Sequence, residues 1–68
     1  MGNPNLKNNL KVFRARNDLT QAELAERIGV TRKTINTIET GRFVPSTVLA
    51  LRLARAFGVS VEELFELE

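Results

Sequence analysis

The 68 residues hold ten Lys and Arg against eight Asp and Glu, a net charge of +2, with no His and no Cys. A chain of this length makes one domain, residues 1–68, and buries only about 60% of its unfolded surface. Small domains often add a disulfide, a metal or a second subunit, and without Cys or His the second subunit is the device left.

The missing Cys fits a reducing cytoplasm. Residues 1–5, Met1-Gly2-Asn3-Pro4-Asn5, lack the charged-then-apolar pattern of a signal peptide, and Leu6 stands where a myristoylation motif wants Ser or Thr. No apolar run approaches the roughly 18 residues of a membrane span. A soluble, cytoplasmic chain is expected. Charge is unevenly spread: residues 1–42 carry eight Lys and Arg against four acids, a balance of +4, and residues 43–68 carry two against four, a balance of −2. Such a chain can turn a basic end toward a polyanion.

Apolar periodicity and caps predict five helices. The first spans about 6–16, with Leu6, Leu10 and Phe13 forming one stripe at i, i+4, i+7. Asn17-Asp18 tolerates the left-handed turn that ends it. Thr20-Gln21-Ala22-Glu23 is a capping box that opens the second, Leu24, Ala25 and Ile28 form its buried face, and Gly29 gives its exit. Thr31 caps the third, about 32–40, whose inner face is Ile35 and Ile38. Ser46 caps a fourth that reaches Phe57. It is apolar nearly all round (Val48, Leu49, Leu51, Leu53, Ala54, Phe57), which predicts the most buried element. Ser60-Val61-Glu62-Glu63 is a second capping box and starts a short fifth helix. The fold expected is all-α, a compact five-helix bundle, with a strand-like tail possible because Leu64-Phe65-Glu66-Leu67-Glu68 nearly alternates.

Only Gly29-Val30-Thr31 joins the second and third helices, too short a link to lay them antiparallel. Two helices crossing steeply over a Gly-containing turn make a helix-turn-helix, here about 20–40, whose second member can enter a DNA major groove. The outer side of the third helix suits this. Lys33, Asn36, Thr37 and Thr40 fall at i, i+3, i+4, i+7, and Arg32 flanks them. Thr at 31, 34, 37 and 40 is a mediocre choice for helix stability alone.

The stretch from Leu19 to Arg42, Leu-Thr-Gln-Ala-Glu-Leu-Ala-Glu-Arg-Ile-Gly-Val-Thr-Arg-Lys-Thr-Ile-Asn-Thr-Ile-Glu-Thr-Gly-Arg, resembles the phage repressor and Cro (XRE-like) helix-turn-helix regulators. So do Leu10, Phe13-Arg14, Pro45-Ser46, Leu53-Ala54, Phe57-Gly58-Val59-Ser60 and Leu64-Phe65, so that the resemblance covers about 6–65, and it is nearest to the short stand-alone members. It implies sequence-specific binding of double-stranded DNA as a transcriptional regulator, a repressor by preference. Arg32, Lys33 and Thr37 fall where the family reads bases, and Thr31, Asn36, Thr40 and Arg42 where members often touch the phosphate backbone, while Gln21 resembles the Gln that contacts DNA phosphate and braces the recognition helix. Arg14 and Glu39 match a structural ion pair between the first helix and the end of the recognition helix. Several members carry Gln at the two positions occupied here by Arg32 and Lys33, so an adenine preference does not transfer. Arg and Lys favour guanine N7 and O6.

A homodimer is expected, with a dimerisation region about 59–68. Val61, Phe65 and Leu67 would stand exposed on a lone subunit, and the tail could pair across the dimer. Two copies on one duplex imply a palindromic operator. An enzyme is excluded by the lack of His, Cys, Tyr and Trp and of a base beside the C-terminal acids. No phosphate-cradling Gly loop is present either. No metal, cofactor, small-molecule ligand or membrane partner is indicated. The alternative is an antitoxin-type protein-interaction module with DNA binding secondary, although little chain follows Phe65 to serve as an arm.

Overall fold

The computed structural model describes residues 6–68; the signal-peptide and myristoylation readings of residues 1–5 lie outside the described residues. In chain order the elements are β1 (Leu6–Asn8), α1 (Leu10–Arg16), α2 (Gln21–Ile28), α3 (Arg32–Glu39), α4 (Thr47–Phe57), α5 (Val61–Leu64) and β2 (Phe65–Leu67). One layer of fully buried side chains joins all five helices: Leu10, Leu24, Ile35, Ile38, Leu53 and Leu64. Each helix contributes at least one residue to that core, so none is stable as a separate unit.

The helix starts follow from local chemistry. Thr20 Oγ1 accepts from the Glu23 backbone N–H at 3.0 Å while the Thr20 N–H donates to Glu23 Oε1 at 2.8 Å. This closes the capping box. Ser60 and Glu63 repeat it, and Thr31 and Ser46 cap α3 and α4 through Thr34 and Leu49. Each cap satisfies a first-turn N–H that the helix itself cannot. Gly29, at φ 75°, takes the left-handed turn between α2 and α3 that a side chain would strain.

Three expectations are corrected. Leu6–Asn8 is a strand, not the first turn of α1. Asn8 Oδ1 accepts from the Leu10 N–H, Asn8 Nδ2 donates to the Ile38 carbonyl at 3.0 Å, and the Asn9 N–H donates to the Leu64 carbonyl at 2.8 Å. Asn side chains that bond backbone in this way compete with helix. The second correction concerns the tail. Phe65–Leu67 does form a strand, but it pairs antiparallel with Leu6–Asn8 of its own chain, in the register Leu6 with Leu67, Lys7 with Glu66 and Asn8 with Phe65. Lys7 and Glu66 are an opposite-charge pair directly across the ladder, which favours that register. Phe65 is therefore part of its own core, 9% exposed, and is not a surface group waiting for a partner. Third, α4 is not buried all round. Leu49, Leu53 and Ala54 face the core, but Val48 and Leu51 are 59% and 56% exposed. Among the described residues no helix is long and apolar enough to cross a membrane.

Candidate nucleic-acid interface

The outer side of α3 is assembled from side chains that the core does not need. With Ile35 and Ile38 turned inward, Arg32, Lys33 and Asn36 are left exposed, with Thr40 exposed just past the helix end and Thr37 half-buried. Among the described residues the one ion pair is Arg14 with Glu39, so Arg32, Lys33 and Arg42 carry charges that no acid of those residues neutralises. The α3 start adds to this. Thr31 caps the Thr34 N–H, and the two N–H groups before it, on Arg32 and Lys33, have no helical acceptor. A helix N-terminus flanked by two cations is a favourable place for a phosphate oxygen.

A polar chain fixes this surface to the body of the domain. Arg14 Nε donates to Glu39 Oε2 at 2.8 Å and Arg14 Nη2 to Glu39 Oε1 at 3.3 Å, while Nη1 donates to the Leu19 carbonyl at 2.9 Å. The Arg14 and Glu39 side chains are only 18% and 6% exposed. A two-pronged guanidinium–carboxylate pair constrains direction as well as distance. It ties α1, the α2 entry and the last turn of α3 together. Glu39 Oε1 also accepts from Gln21 Nε2 at 3.1 Å, and the same nitrogen donates to Asn36 Oδ1 at 3.3 Å. No pattern in the sequence would have connected Gln21, Asn36 and Glu39, because side-chain amide orientation depends on the packing of α2 against α3.

The threonines are more committed than their exposure suggests. Thr37 Oγ1 donates to the Thr34 carbonyl at 2.9 Å, Thr40 Oγ1 donates to the Thr37 carbonyl at 3.2 Å, and Thr31 Oγ1 lies 3.1 Å from Thr34 Oγ1. Arg42 sits just beyond α3, its backbone N–H donating to the Thr37 carbonyl at 3.0 Å while its side chain stays exposed. One carboxyl near the α2 start is perturbed: the backbone N–H of Thr20 first, then its hydroxyl, hold Glu23 below the ordinary carboxylate value of 4.5.

Val61, Phe65 and Leu67 do not belong to this surface. Val61 and Phe65 line an open cavity of about 250 Å³ together with Leu6, Val44, Ala50 and Leu51. Leu67 projects from β2 at 87% exposure. The described residues include no cluster of acids able to hold a metal ion.

The sequence profile of the family described as Helix-turn-helix matches residues 10–64 of the chain. An uncharacterized HTH-type transcriptional regulator of Methanocaldococcus jannaschii is 48% identical over 60 residues, 88% of this chain and 91% of that protein. The crystal structure of the restriction-modification controller protein of Aeromonas hydrophila matches with a TM-score of 0.74 at 31% identity, over 79% of this chain and 82% of that one. A hypothetical transcription factor from Neisseria matches with a TM-score of 0.75 at 27% identity over 81% of this chain, which spans 63% of that longer protein.

Proposed function

Because the chain belongs to the helix-turn-helix family of DNA-binding transcriptional regulators, which are not enzymes, we propose that it binds a palindromic operator as a homodimer and represses from there. The observation that carries this reading is the exposed first turn of α3, where Arg32 and Lys33 have no ion-pair partner among the described residues and stand beside two N–H groups without helical acceptors. Arg32, Lys33 and Thr37 read base edges in the major groove. Arg and Lys supply donors that match guanine O6 and N7, so each half-site contains guanine. Thr37 has its hydroxyl proton on the Thr34 carbonyl and meets a base through its methyl group or its lone pairs. Gln21, Thr31, Asn36, Thr40 and Arg42 surround that surface and meet the phosphate backbone. Arg42 does so as a cation, and Thr31 through the cap that orients the α3 start.

The homodimer rests on a different surface. Val61 lies beside the exposed Val48 and Leu51, and these form an apolar region that a lone subunit leaves to water, with Leu67 separately exposed on β2. Phe65 supports it from inside. The whole of 1–68 then serves as one domain, with 20–40 as the DNA-binding unit and 59–68 contributing to dimerisation, in a cytoplasmic protein.

Selection of bound sites from random duplex DNA tests the reading. The expected product is a palindrome with half-sites centred about 34 Å apart, one helical turn, because a two-fold dimer offers two recognition helices to one face of the duplex. Recovery of no common sequence, or of a single unrepeated half-site, would contradict it.

A further inference from the structure

The chain linking Glu39, Gln21 and Asn36 has a direction, and that direction decides what Asn36 can offer to DNA. A carboxylate has no proton to give, so the Gln21 atom 3.1 Å from Glu39 Oε1 must be the amide nitrogen. The usual ambiguity between amide oxygen and nitrogen is thereby removed by chemistry. That nitrogen also faces the Asn36 side chain at 3.3 Å. An amide nitrogen can only donate, so the Asn36 atom it meets must be the oxygen. The Asn36 amino group is consequently turned away from Gln21, on a residue exposed to solvent.

We propose that Glu39, acting through Gln21, holds Asn36 as a hydrogen-bond donor toward DNA, and that Gln21 is a positioning residue whose side chain makes no contact of its own. This rests on the reading that α3 faces the duplex. Both Gln21 amide protons point at protein acceptors, so a phosphate, which only accepts, meets Gln21 through its backbone N–H. An Asn free to present both of its groups pairs with adenine N6 and N7. Asn36 keeps its oxygen on Gln21 and offers its amino group to an acceptor oxygen or nitrogen. The sources of that chemistry are a phosphate oxygen, N7 of either purine, guanine O6 and thymine O4.

Asn36→Asp and Asn36→Ala, measured on the selected duplex, test the donor. Asp keeps the shape and the oxygen facing Gln21 but replaces the amino group with a second acceptor. Binding by Asn36→Asp should fall roughly tenfold or more, the scale of one lost polar contact, and below that of Asn36→Ala, with the melting temperature of the free protein unchanged. Asp binding as well as Ala or better would overturn the proposal. Positioning is tested by repeating Asn36→Ala in a Gln21→Met background. If Gln21 orients Asn36, the loss caused by Asn36→Ala shrinks there; if the two losses multiply independently, Gln21 does not orient it. Duplexes with a single neutral methylphosphonate locate a phosphate acceptor, and 7-deazaguanine or base changes locate a base acceptor. Failure of the wider reading looks different, since Arg32→Ala and Lys33→Ala would then also bind as wild type.

Discussion

Along the α2–α3 edge, polar groups are held by other polar groups: Glu39 accepts from Arg14 and Gln21, and Gln21 donates to Asn36. On the outer side of α4, apolar groups stand beside one another and face water, with Val48 and Leu51 more than half exposed next to Val61, and Leu67 of β2 is exposed as well. The first surface is fixed within one chain before any ligand arrives, since directional bonds set where each donor points. The second is satisfied only by burial, which is non-directional and requires another surface. One subunit thus carries a preorganised polar surface and an apolar surface that its own fold leaves exposed.

The most severe way to break the contrast is to remove the core that both regions share. Ile38, on α3, lies beside Leu6 of β1 and Phe65 of β2 and is 1% exposed. Ile38→Ala should cost about 2–5 kcal/mol in a denaturant titration, enough to unfold much of a marginally stable domain. Phe65→Glu should likewise unfold the chain, because it buries a carboxylate, whereas a surface role for Phe65 would leave the fold intact.

Removing one end of the ion pair comes next. Arg14→Ala or Glu39→Ala should each cost about 2–3 kcal/mol, since the remaining charge stays largely buried without its partner. A double-mutant cycle should give a clear positive coupling between the two sites. Zero coupling would mean that the polar edge is not held from α1.

The apolar face should respond in the opposite way. Leu51→Glu and Leu67→Glu change exposed positions, so stability of the subunit should move by no more than about 0.5 kcal/mol. Light scattering at micromolar concentration should nevertheless fall from two chains to the 7.6 kDa of one. If the wild-type protein already scatters as one chain, the partner for this face is not a second copy.

The smallest effect lies at the α2 start. Glu23 titrates below its ordinary value of 4.5 in the folded chain, so its contribution is fully present above that pH and is lost as pH falls through the lowered value. The melting temperature of the wild type should therefore drop below about pH 4.5 more than that of Glu23→Gln. Equal acid limbs would show that the capping box does not carry the shift.

How far the sequence disclosed these regions follows the same division. The caps at Thr20, Thr31, Ser46 and Ser60 were legible because a cap and the N–H that donates to it lie three residues apart. The turn at Gly29 and the outward stripe of α3 were legible for the same local reason. β1 was not, because its helix-like stripe of Leu6, Leu10 and Phe13 is ambiguous and its partner strand lies at the other end of the chain. Phe65 looked exposed for want of that pairing, and α4 looked the most buried element because composition does not say which of its apolar faces finds a neighbour. Arg14 with Glu39 was accessible through family resemblance alone, and the orientation of Gln21 and Asn36 not at all.

The claim on which the rest depends is that the first turn of α3 reads sequence. Site selection should be repeated with Arg32→Ala and Lys33→Ala beside the wild type, and each variant's affinity measured on the matched duplex and on single-base changes. Each variant should lose about 1–3 kcal/mol on the matched site and relax its preference at one or two base pairs, as expected when a base contact is removed. Arg42→Ala, lacking a phosphate contact, should weaken all sequences alike and flatten the salt dependence. Wild-type sequence preference in both the Arg32 and Lys33 variants would contradict the account, since the reading surface would then lie elsewhere.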